Sequence, residues 1–421
     1  MYALVDCNNF YPNCEILFQP NLKGKPVVVL SNNDGCVIAR SEEAKALGIV
    51  MGTPAHLSKE FFTKNGVEIF SSNYTLYGDI SDRVMKILSS FVPAMEIYSI
   101  DEAFLDLGNF RCSNFFKLGN DIRQKIMHDI GIPVSVGIGP NKTLAKMANR
   151  YSKKIDTNKG VFVAATNEEI DNLLKWTAVG KVWGVGHQSE LFLKKYKIFT
   201  AKDFVHLPAH WVRTHLNVTG LRTWYELSGH QSISLETNPK ARQNICTSRA
   251  FGKLTNDYSI LEEAISNYAA CCALKLRMQH SVCREVCVFI ATNVHKIHHL
   301  QHHHSVNIKC DTPTSVTSDI IKYSLKGLAM IFGGKNYLYM KCGVIVKDIV
   351  SESAIQINLF ESPHDRKVKA LASVVDDLNR KTGNKSLRMS VHRFDKSYQM
   401  RAERLSAKYT TDINQILKVT I

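Results

Sequence analysis

The sequence Tyr98–Leu107, YSIDEAFLDL, sets two acidic residues, Asp101 and Glu102, between apolar, β-prone runs. The runs EIYSI and AFLDL predict two short strands that meet at this acidic pair. The N-terminal stretch Tyr2–Asn8 (YALVDCN) predicts a buried strand that carries a third acid, Asp6. We expect this strand to be central and the hairpin to lie beside it, so that three carboxylates converge on one sheet.

The order of the remaining elements predicts two α+β domains. A helical pattern over Asn114–Asp129, the strand PVSVGIG and the helix NKTLAKMANRYSKK complete the first set. Strand, helix, strand, strand, helix, strand is the ferredoxin-like order, which predicts an antiparallel sheet with helices on one face. The same order recurs from Asn244 to about Ile349, and a small helical segment from Lys181 to about residue 230 lies between the two sets.

Composition narrows the class of protein. The 421 residues correspond to two to four domains, at roughly 100–200 residues each. The net charge of +15 suits a polyanionic partner and excludes an acidic solvating protein; residues 1–100 carry −2 and the rest +17. The eleven scattered cysteines indicate reduced thiols, and no apolar run is long enough for a membrane span or a signal peptide. We therefore expect a cytoplasmic protein with no membrane partner.

Three neighbouring carboxylates point to metal chemistry. Carboxylates this close repel one another unless a divalent cation lies between them. Oxygen-only ligation suits Mg²⁺, or alternatively Mn²⁺. Two such ions about 3.5–4 Å apart would activate an attacking hydroxyl and stabilise a leaving pyrophosphate. A single Asp at a strand end more often caps a loop, but the acidic hairpin beside Asp6 favours the metal hypothesis.

Several sequence motifs resemble those of a known protein family. DCNNFY at residues 6–11, the YSIDEAFLDL hairpin and VGIGPNKTLAKMAN at residues 136–149 resemble the palm of Y-family translesion DNA polymerases. SNNDGCVIARSEEAKALG (31–48) and MRAERLSAKYTT (400–411) are similar to the bacterial UmuC subfamily, the catalytic subunits of DNA polymerase V. The resemblance implies a right-hand-like polymerase: palm and fingers (1–165), thumb (166–230), little finger (243–350) and a C-terminal tail (351–421).

The resemblance also assigns roles to the acids. Asp6 and Asp101 resemble the residues that bridge both metal ions, and Glu102 resembles a ligand of the ion that activates the primer 3′-hydroxyl. The backbone carbonyl of Cys7 would be a further ligand, which leaves its thiol without a role. The implied reaction is attack by the primer 3′-oxygen on the α-phosphate of a deoxynucleoside triphosphate.

Two aromatic residues match the sugar-binding part of the family's nucleotide site. Tyr11 resembles the steric-gate residue, whose flat ring leaves no room for a 2′-hydroxyl. Phe10 would support the floor of the site, and core packing is the alternative for either ring.

Three cations match positions that bind the triphosphate: Arg40, Lys45 and Lys153. Many family members carry Thr, Tyr and Arg where this chain has Ala39, Glu42 and Lys45. The departure leaves open which side chain binds which phosphate.

The segment VWGVG at residues 182–186 predicts a helix-hairpin-helix whose glycines let backbone N–H groups approach a DNA phosphate. We expect Lys181, Gly184 and Gly186 to contact DNA there, and Lys142 and Lys146 to contact the duplex backbone.

The segment QINLF resembles the peptide by which bacterial polymerases bind the sliding clamp, through Gln356, Leu359 and Phe360. An edge strand of the little finger is the alternative. The resemblance further implies that the region after residue 360 contacts the processed UmuD dimer and a RecA filament.

The histidine-rich stretch 295–304 invites a zinc hypothesis with Cys283 and Cys287. The C-x₃-C-x₇-H spacing fits common zinc patterns poorly, and strand alternation explains Cys287 as a core residue. We favour an exposed loop between two strands of the little finger.

The leading hypothesis is an error-prone, template-directed DNA polymerase that performs translesion synthesis in the SOS response, in the bacterial cytoplasm and on the nucleoid when active. One alternative is a catalytically silent, clamp-tethered DNA-binding scaffold, but a scaffold needs no three mutually repelling acids. The other is a nucleotidyl cyclase, which needs neither a helix-hairpin-helix nor a second ferredoxin-like domain.

Overall fold

The computed structural model describes residues 1–108, 114–155, 160–238, 240–354, 363–382, 386–392 and 398–417. The chain forms two compact units. The first contains Met1–Ser31, Gly35–Pro239 and Arg404–Ile421, and the second contains Asn32–Asp34 and Lys240–Glu403. The sequence predicted one tail over 351–421, whereas the structure assigns its two parts to different units.

The first unit alternates short strands and helices before it becomes wholly helical. Its elements are β1 (Tyr2–Cys7), α1 (Phe10–Phe18), β2 (Val27–Leu30), β3 (Val37–Arg40), α2 (Glu42–Ala46), α3 (Lys59–Lys64), β4 (Glu68–Ser71), α4 (Tyr74–Ser89), β5 (Met95–Ile97), β6 (Glu102–Asp106), α5 (Phe115–Asp129), β7 (Val134–Gly139), α6 (Lys142–Ser152), β8 (Val161–Val163), α7 (Asn167–Trp176), α8 (His187–Lys195), α9 (Ala201–Val205) and α10 (Ala209–Leu227).

The central sheet of this unit has the order β5-β6-β1-β7-β8 among the described residues. Strand β1 is central and pairs antiparallel with both β6 and β7, as the apolar run at the N-terminus predicted. Strand β8 pairs parallel with β7, an addition that the sequence pattern did not predict.

Helices cover both faces of this sheet, so the prediction of helices on one face was wrong. Side chains alternate along a strand. Val136 of β7 belongs to the core that contains residues of α4 and α5, whereas Gly137 faces α6. A Cβ atom on Gly137 would lie 1.9 Å from the backbone nitrogen of Asn149. The glycine therefore lets α6 lie directly on the sheet.

A smaller sheet, β3-β2-β4, forms beside α1 in the same unit. The run Val27–Leu30 is buried on both faces. Ser41 caps the N-terminus of α2, because its hydroxyl accepts the N–H of Ala44.

The helical segment α7–α10 shares a hydrophobic cluster with α6. Leu144 and Met147 of α6 pack in the cluster that includes Leu173, Phe204 and Val212. The predicted boundary near residue 165 is therefore not a boundary between compact units.

The second unit contains a four-stranded antiparallel sheet among its described residues, in the order β11-β10-β12-β9. Its core lies between this sheet and the helices α11 and α12. The predicted second ferredoxin-like sheet is confirmed. The helices and strands of the second unit are β9 (Ile245–Thr255), α11 (Tyr258–Met278), β10 (Ser281–Thr292), β11 (His303–Thr314), α12 (Thr317–Ile331), β12 (Tyr339–Ser351) and α13 (Pro363–Thr382).

Residues 295–302 of the histidine-rich stretch join β10 to β11, as predicted, and His303 and His304 begin β11. Cys287 is buried in β10, but it alternates with Val286 and Val288 of the core and therefore lies on the opposite face of the sheet. The predicted clamp-binding residues Gln356, Leu359 and Phe360 lie outside the described residues. Within the described part of the chain, no helix is both long and apolar enough to cross a membrane.

Candidate active site

The pairing of β1 with β6 brings the predicted acids together at one end of the central sheet. Asp6 lies directly opposite Glu102 in the antiparallel register. Asp101 immediately precedes β6, and the Cys7 N–H donates to its carbonyl oxygen (2.8 Å). The Ser99 hydroxyl donates to Asp101 Oδ1 (2.5 Å). The hairpin thus fixes Asp101 and Glu102 against β1, which carries Asp6.

Helix α6 and its C-cap residue Lys153 present lysines to this end of the sheet. Lys153 Nζ lies 2.6 Å from Asp6 Oδ1, and Lys146 Nζ donates to both carboxylate oxygens of Glu102 (2.8 and 2.9 Å). Positions 146 and 153 are about two turns apart on one helix face. The close approach of α6 to the sheet explains why these ammonium groups reach the acids.

Burial raises the pKa of Asp6, and the nearby Asp101 charge raises it further, while Lys153 lowers it. Burial also raises the pKa of Glu102, and Lys146 opposes that shift. The site therefore concentrates negative charge in a partly desolvated position and neutralises it with two ammonium groups.

The donor chemistry of the site fits a hard divalent cation. In the conformation described, no three His, Cys, Asp or Glu side chains of the described residues stand close enough to hold a metal ion. Lys146 and Lys153 instead supply the positive charge that the carboxylates need. All-oxygen donors that repel one another suit Mg²⁺ or Mn²⁺, and such an ion would replace the ammonium groups.

The thiol of Cys7 is not suited to metal binding. It is buried among apolar side chains, and burial raises its pKa far above the ordinary value. A thiolate would be required for ligation. The backbone carbonyl oxygen is therefore the group of Cys7 that can act as a metal ligand.

A cavity of about 410 Å³ opens beside the acids. It brings together Asp6 and Asp101 with the four residues predicted to bind nucleotide in the first 50 residues. Its lining comprises Asp6, Cys7, Asn9, Phe10, Tyr11, Ile38, Ala39, Arg40, Lys45, Met51, Ile100 and Asp101.

Tyr11 lies half-buried at this cavity and stacks on Tyr77 of α4, with ring centroids 4.4 Å apart and planes at 15°. Burial raises the pKa of Tyr11 to about 12, so its hydroxyl is neutral. Phe10 is buried in the core and also lines the cavity. Sequence reasoning did not identify Tyr77, because an aromatic residue at helical spacing has no mark that separates a site residue from the core.

The two cations of the fingers segment, Arg40 and Lys45, already have hydrogen-bond partners within the protein. Arg40 donates to the Ile49 carbonyl (2.7 Å). Lys45 Nζ donates to Asn9 Oδ1 (2.5 Å) and Glu42 Oε1 (2.7 Å). Each would exchange these partners for phosphate oxygens if it binds a triphosphate.

Lys142 does not face solvent. Its side chain is 3% exposed, and its ammonium lies 2.6 Å from Glu96 Oε2. This burial argues against the predicted contact between Lys142 and DNA. Lys146 is occupied by Glu102, so its first partner is a carboxylate of the site.

The predicted helix-hairpin-helix forms a turn that only glycine adopts readily. Gly184 has φ +89°, and a Cβ there would lie 2.9 Å from Thr223 Oγ1. Lys181, Gly184 and Gly186 are exposed, and Gly186 precedes α8. These three residues are open to a partner.

Comparisons with known proteins cover the whole chain. The impB/mucB/samB family matches residues 5–150, its C-terminal domain matches 242–359, and a domain of unknown function, DUF4113, matches 369–419. Protein UmuC from Salmonella typhimurium is 41% identical over 100% of both chains. DNA polymerase IV from Picrophilus torridus is 30% identical over 58% of this chain and 70% of its own.

A Y-family DNA polymerase chimera of Dbh and Dpo4 shares the fold, with a TM-score of 0.64 at 22% identity over 83% of this chain and 99% of its own. Fold, acidic hairpin and relatives together define a Y-family, DNA-directed DNA polymerase of the translesion class. The chain belongs to the UmuC-type members of this family.

Proposed function

We propose that this protein is an error-prone translesion polymerase of the SOS response, which extends a primer on damaged template DNA with deoxynucleoside triphosphates. The observation that carries the proposal is the register of β1 and β6, which sets Asp6 opposite Glu102 and next to Asp101, beside the cavity of about 410 Å³ that Asp6 and Asp101 line. A solved relative, described as an insertion ternary complex of Dbh DNA polymerase, supports DNA and nucleotide as the substrates.

Asp6, Asp101, Glu102 and the Cys7 carbonyl would hold two Mg²⁺ ions, or Mn²⁺. When bound, the ions supply charge neutralisation at the reacting phosphate and lower the pKa of the attacking hydroxyl. Lys146 and Lys153, once released from the carboxylates, would lie beside the incoming polyanion. Most of the rate enhancement then comes from positioning and charge complementarity.

The residues around the cavity would select and orient the nucleotide. Tyr11 would exclude a 2′-hydroxyl by its ring, with Phe10 beneath the site. Arg40, Lys45 and Lys153 would bind the triphosphate.

The duplex and the partners would use other parts of the chain. Lys181, Gly184 and Gly186 would bind the DNA backbone without regard to sequence. The QINLF peptide would bind the sliding clamp, and the region beyond residue 360 would bind the processed UmuD dimer and a RecA filament. The protein would act in the bacterial cytoplasm, on the nucleoid.

The test is primer extension on undamaged and abasic templates with Mg²⁺, with and without the clamp and the accessory subunits. Asp101→Asn should abolish incorporation, because it removes one charge of the cation site, and should leave primer-template binding intact. Extension by the variant at the wild-type rate would refute the metal assignment. DNA binding by the wild type without extension in any condition would favour the scaffold.

A further inference from the structure

A C-terminal segment of the first unit, Arg404–Tyr409, is bound to the edge of the palm and fingers by hydrogen bonds. Ser71, at the end of β4, donates its backbone N–H to the Arg404 carbonyl (2.9 Å). The Ser71 hydroxyl accepts the Arg404 N–H (3.0 Å). The Asn73 amide donates to the carbonyl of Ser406 (3.2 Å). These hydrogen bonds therefore hold the segment at a defined position on the first unit.

The segment packs on α1 and α4, the two helices that carry the stacked tyrosines Tyr11 and Tyr77. The ring of Tyr409 stacks on Phe18 of α1, with centroids 4.7 Å apart and planes at 9°. Tyr409 also packs against the core that contains residues of α1 and α4. Tyr11 belongs to α1 and Tyr77 to α4, so the segment contacts both supports of this pair.

A continuous chain of hydrogen bonds leads from the segment to the tyrosines. Asn73 Nδ2 donates to Ser406 Oγ (2.9 Å), which donates to Glu15 Oε1 (3.0 Å). The Tyr77 hydroxyl donates to the same Glu15 oxygen (2.6 Å). The Tyr77 ring then stacks on Tyr11.

The carboxylate at the centre of this chain depends on its two donors. Glu15 is fully buried, and its Oε2 has no hydrogen-bond partner among the described residues. Burial raises the pKa of Glu15, whereas the hydrogen bonds from Tyr77 and Ser406 lower it. Loss of one donor leaves a buried carboxyl undersatisfied, which favours rearrangement of Glu15 and of Tyr77 with it.

We infer that the segment Arg404–Tyr409 is a positioning element of the nucleotide site: through Ser406, Glu15 and Tyr77 it fixes the ring of Tyr11 and so sets the discrimination between deoxyribose and ribose. The inference rests on the proposed role of Tyr11. It also gives a function to part of the region that matches a domain of unknown function, residues 369–419.

The experiment measures kcat/KM for a deoxynucleotide and for the matching ribonucleotide in the full-length chain, with clamp and accessory subunits present. Ser406→Ala should lower the deoxyribose preference about three- to tenfold, the effect of one buried hydrogen bond. Tyr77→Phe, which removes the other donor, should lower it similarly. Ser406→Thr keeps the hydroxyl and should restore the preference.

The matched control is Thr411→Ala, which removes a hydroxyl from an exposed position two residues beyond the segment. If the segment only stabilised the fold, loss of its contacts would reduce the amount of active enzyme. Both kcat/KM values would then fall equally, and their ratio would stay unchanged. That result for both Ser406→Ala and Tyr77→Phe would overturn the inference, even if either variant folds poorly.

Tyr11→Ala separates the two levels of the hypothesis. If it raises ribonucleotide incorporation while Ser406→Ala and Tyr77→Phe do not, only the positioning role fails. If Tyr11→Ala leaves the sugar preference unchanged, the proposed gate itself is wrong, and the positioning role fails with it.

Discussion

The ion pair between Lys142 and Glu96 provides the sharpest test of the structure. Lys142 Nζ lies 2.6 Å from Glu96 Oε2, with side chains only 3% and 10% exposed. The same ammonium lies 4.8 Å from the centre of the Phe104 ring. Lys142→Met keeps the apolar stem and removes the charge, leaving Glu96 buried with the N–H of Glu236 as a remaining donor (2.6 Å).

Removing one partner of a buried pair costs about 3–5 kcal/mol, because the other charge stays buried without compensation. We expect the free energy of unfolding to fall by about that amount in Lys142→Met. The double change with Glu96→Met should recover part of the loss, because it removes the stranded carboxylate. Lys125→Met is the control: its pair with Asp129 is surface-exposed, and the loss of stability should be far smaller than in Lys142→Met.

Urea unfolding followed by tryptophan fluorescence is the suitable assay. All four tryptophans lie between residues 176 and 224, so the signal reports the first unit. In parallel, the salt dependence of DNA affinity should be unchanged by Lys142→Met, whereas Lys181→Met should reduce the slope by about one counterion. A stability loss near that of Lys125→Met, together with a reduced salt slope, would refute the burial of Lys142 and restore it as a DNA contact.

Two further predictions concern the chemistry and the clamp. Lys146 holds down the pKa of Glu102 against the effect of burial. Lys146→Met should therefore raise that pKa in the metal-free protein, as an NMR titration of the Glu102 carboxyl would show, and Lys146→Arg should keep it; an unshifted pKa in Lys146→Met would contradict the pairing. Replacement of Leu359 and Phe360 by Ala should reduce clamp-stimulated synthesis and leave clamp-independent synthesis unchanged; equal stimulation would favour the edge-strand alternative.

Local pattern was sufficient to predict which end of the central sheet carries the three acids. The alternation around Asp101 and Glu102 marks a hairpin, and the apolar run around Asp6 marks a central strand. Period-two alternation and turn residues are properties of neighbouring positions, so a single sequence reveals them. The motif resemblance supplied the polymerase class, which the relatives confirm.

The partners of charged side chains could not be predicted in the same way. Lys142, Lys146 and Lys153 are equivalent on sequence grounds, and each was expected to meet a polyanion. The structure buries the first against Glu96 and pairs the others with Glu102 and Asp6. The difference arises because α6 lies on the sheet at Gly137, a close approach between elements that no local pattern records.

By itself, then, the sequence determined the element order and the position of three acids at one end of the palm sheet, because these depend on short-range periodicity; the class of enzyme came from the resemblance of its motifs to a known family. Only the tertiary structure determined that helices cover both faces of the palm sheet, which lysines are buried, and that Ser406 reaches Glu15 beneath Tyr77. These are contacts between residues up to 391 positions apart, which no local pattern can reveal. Burial then determines how strongly such contacts affect stability and pKa.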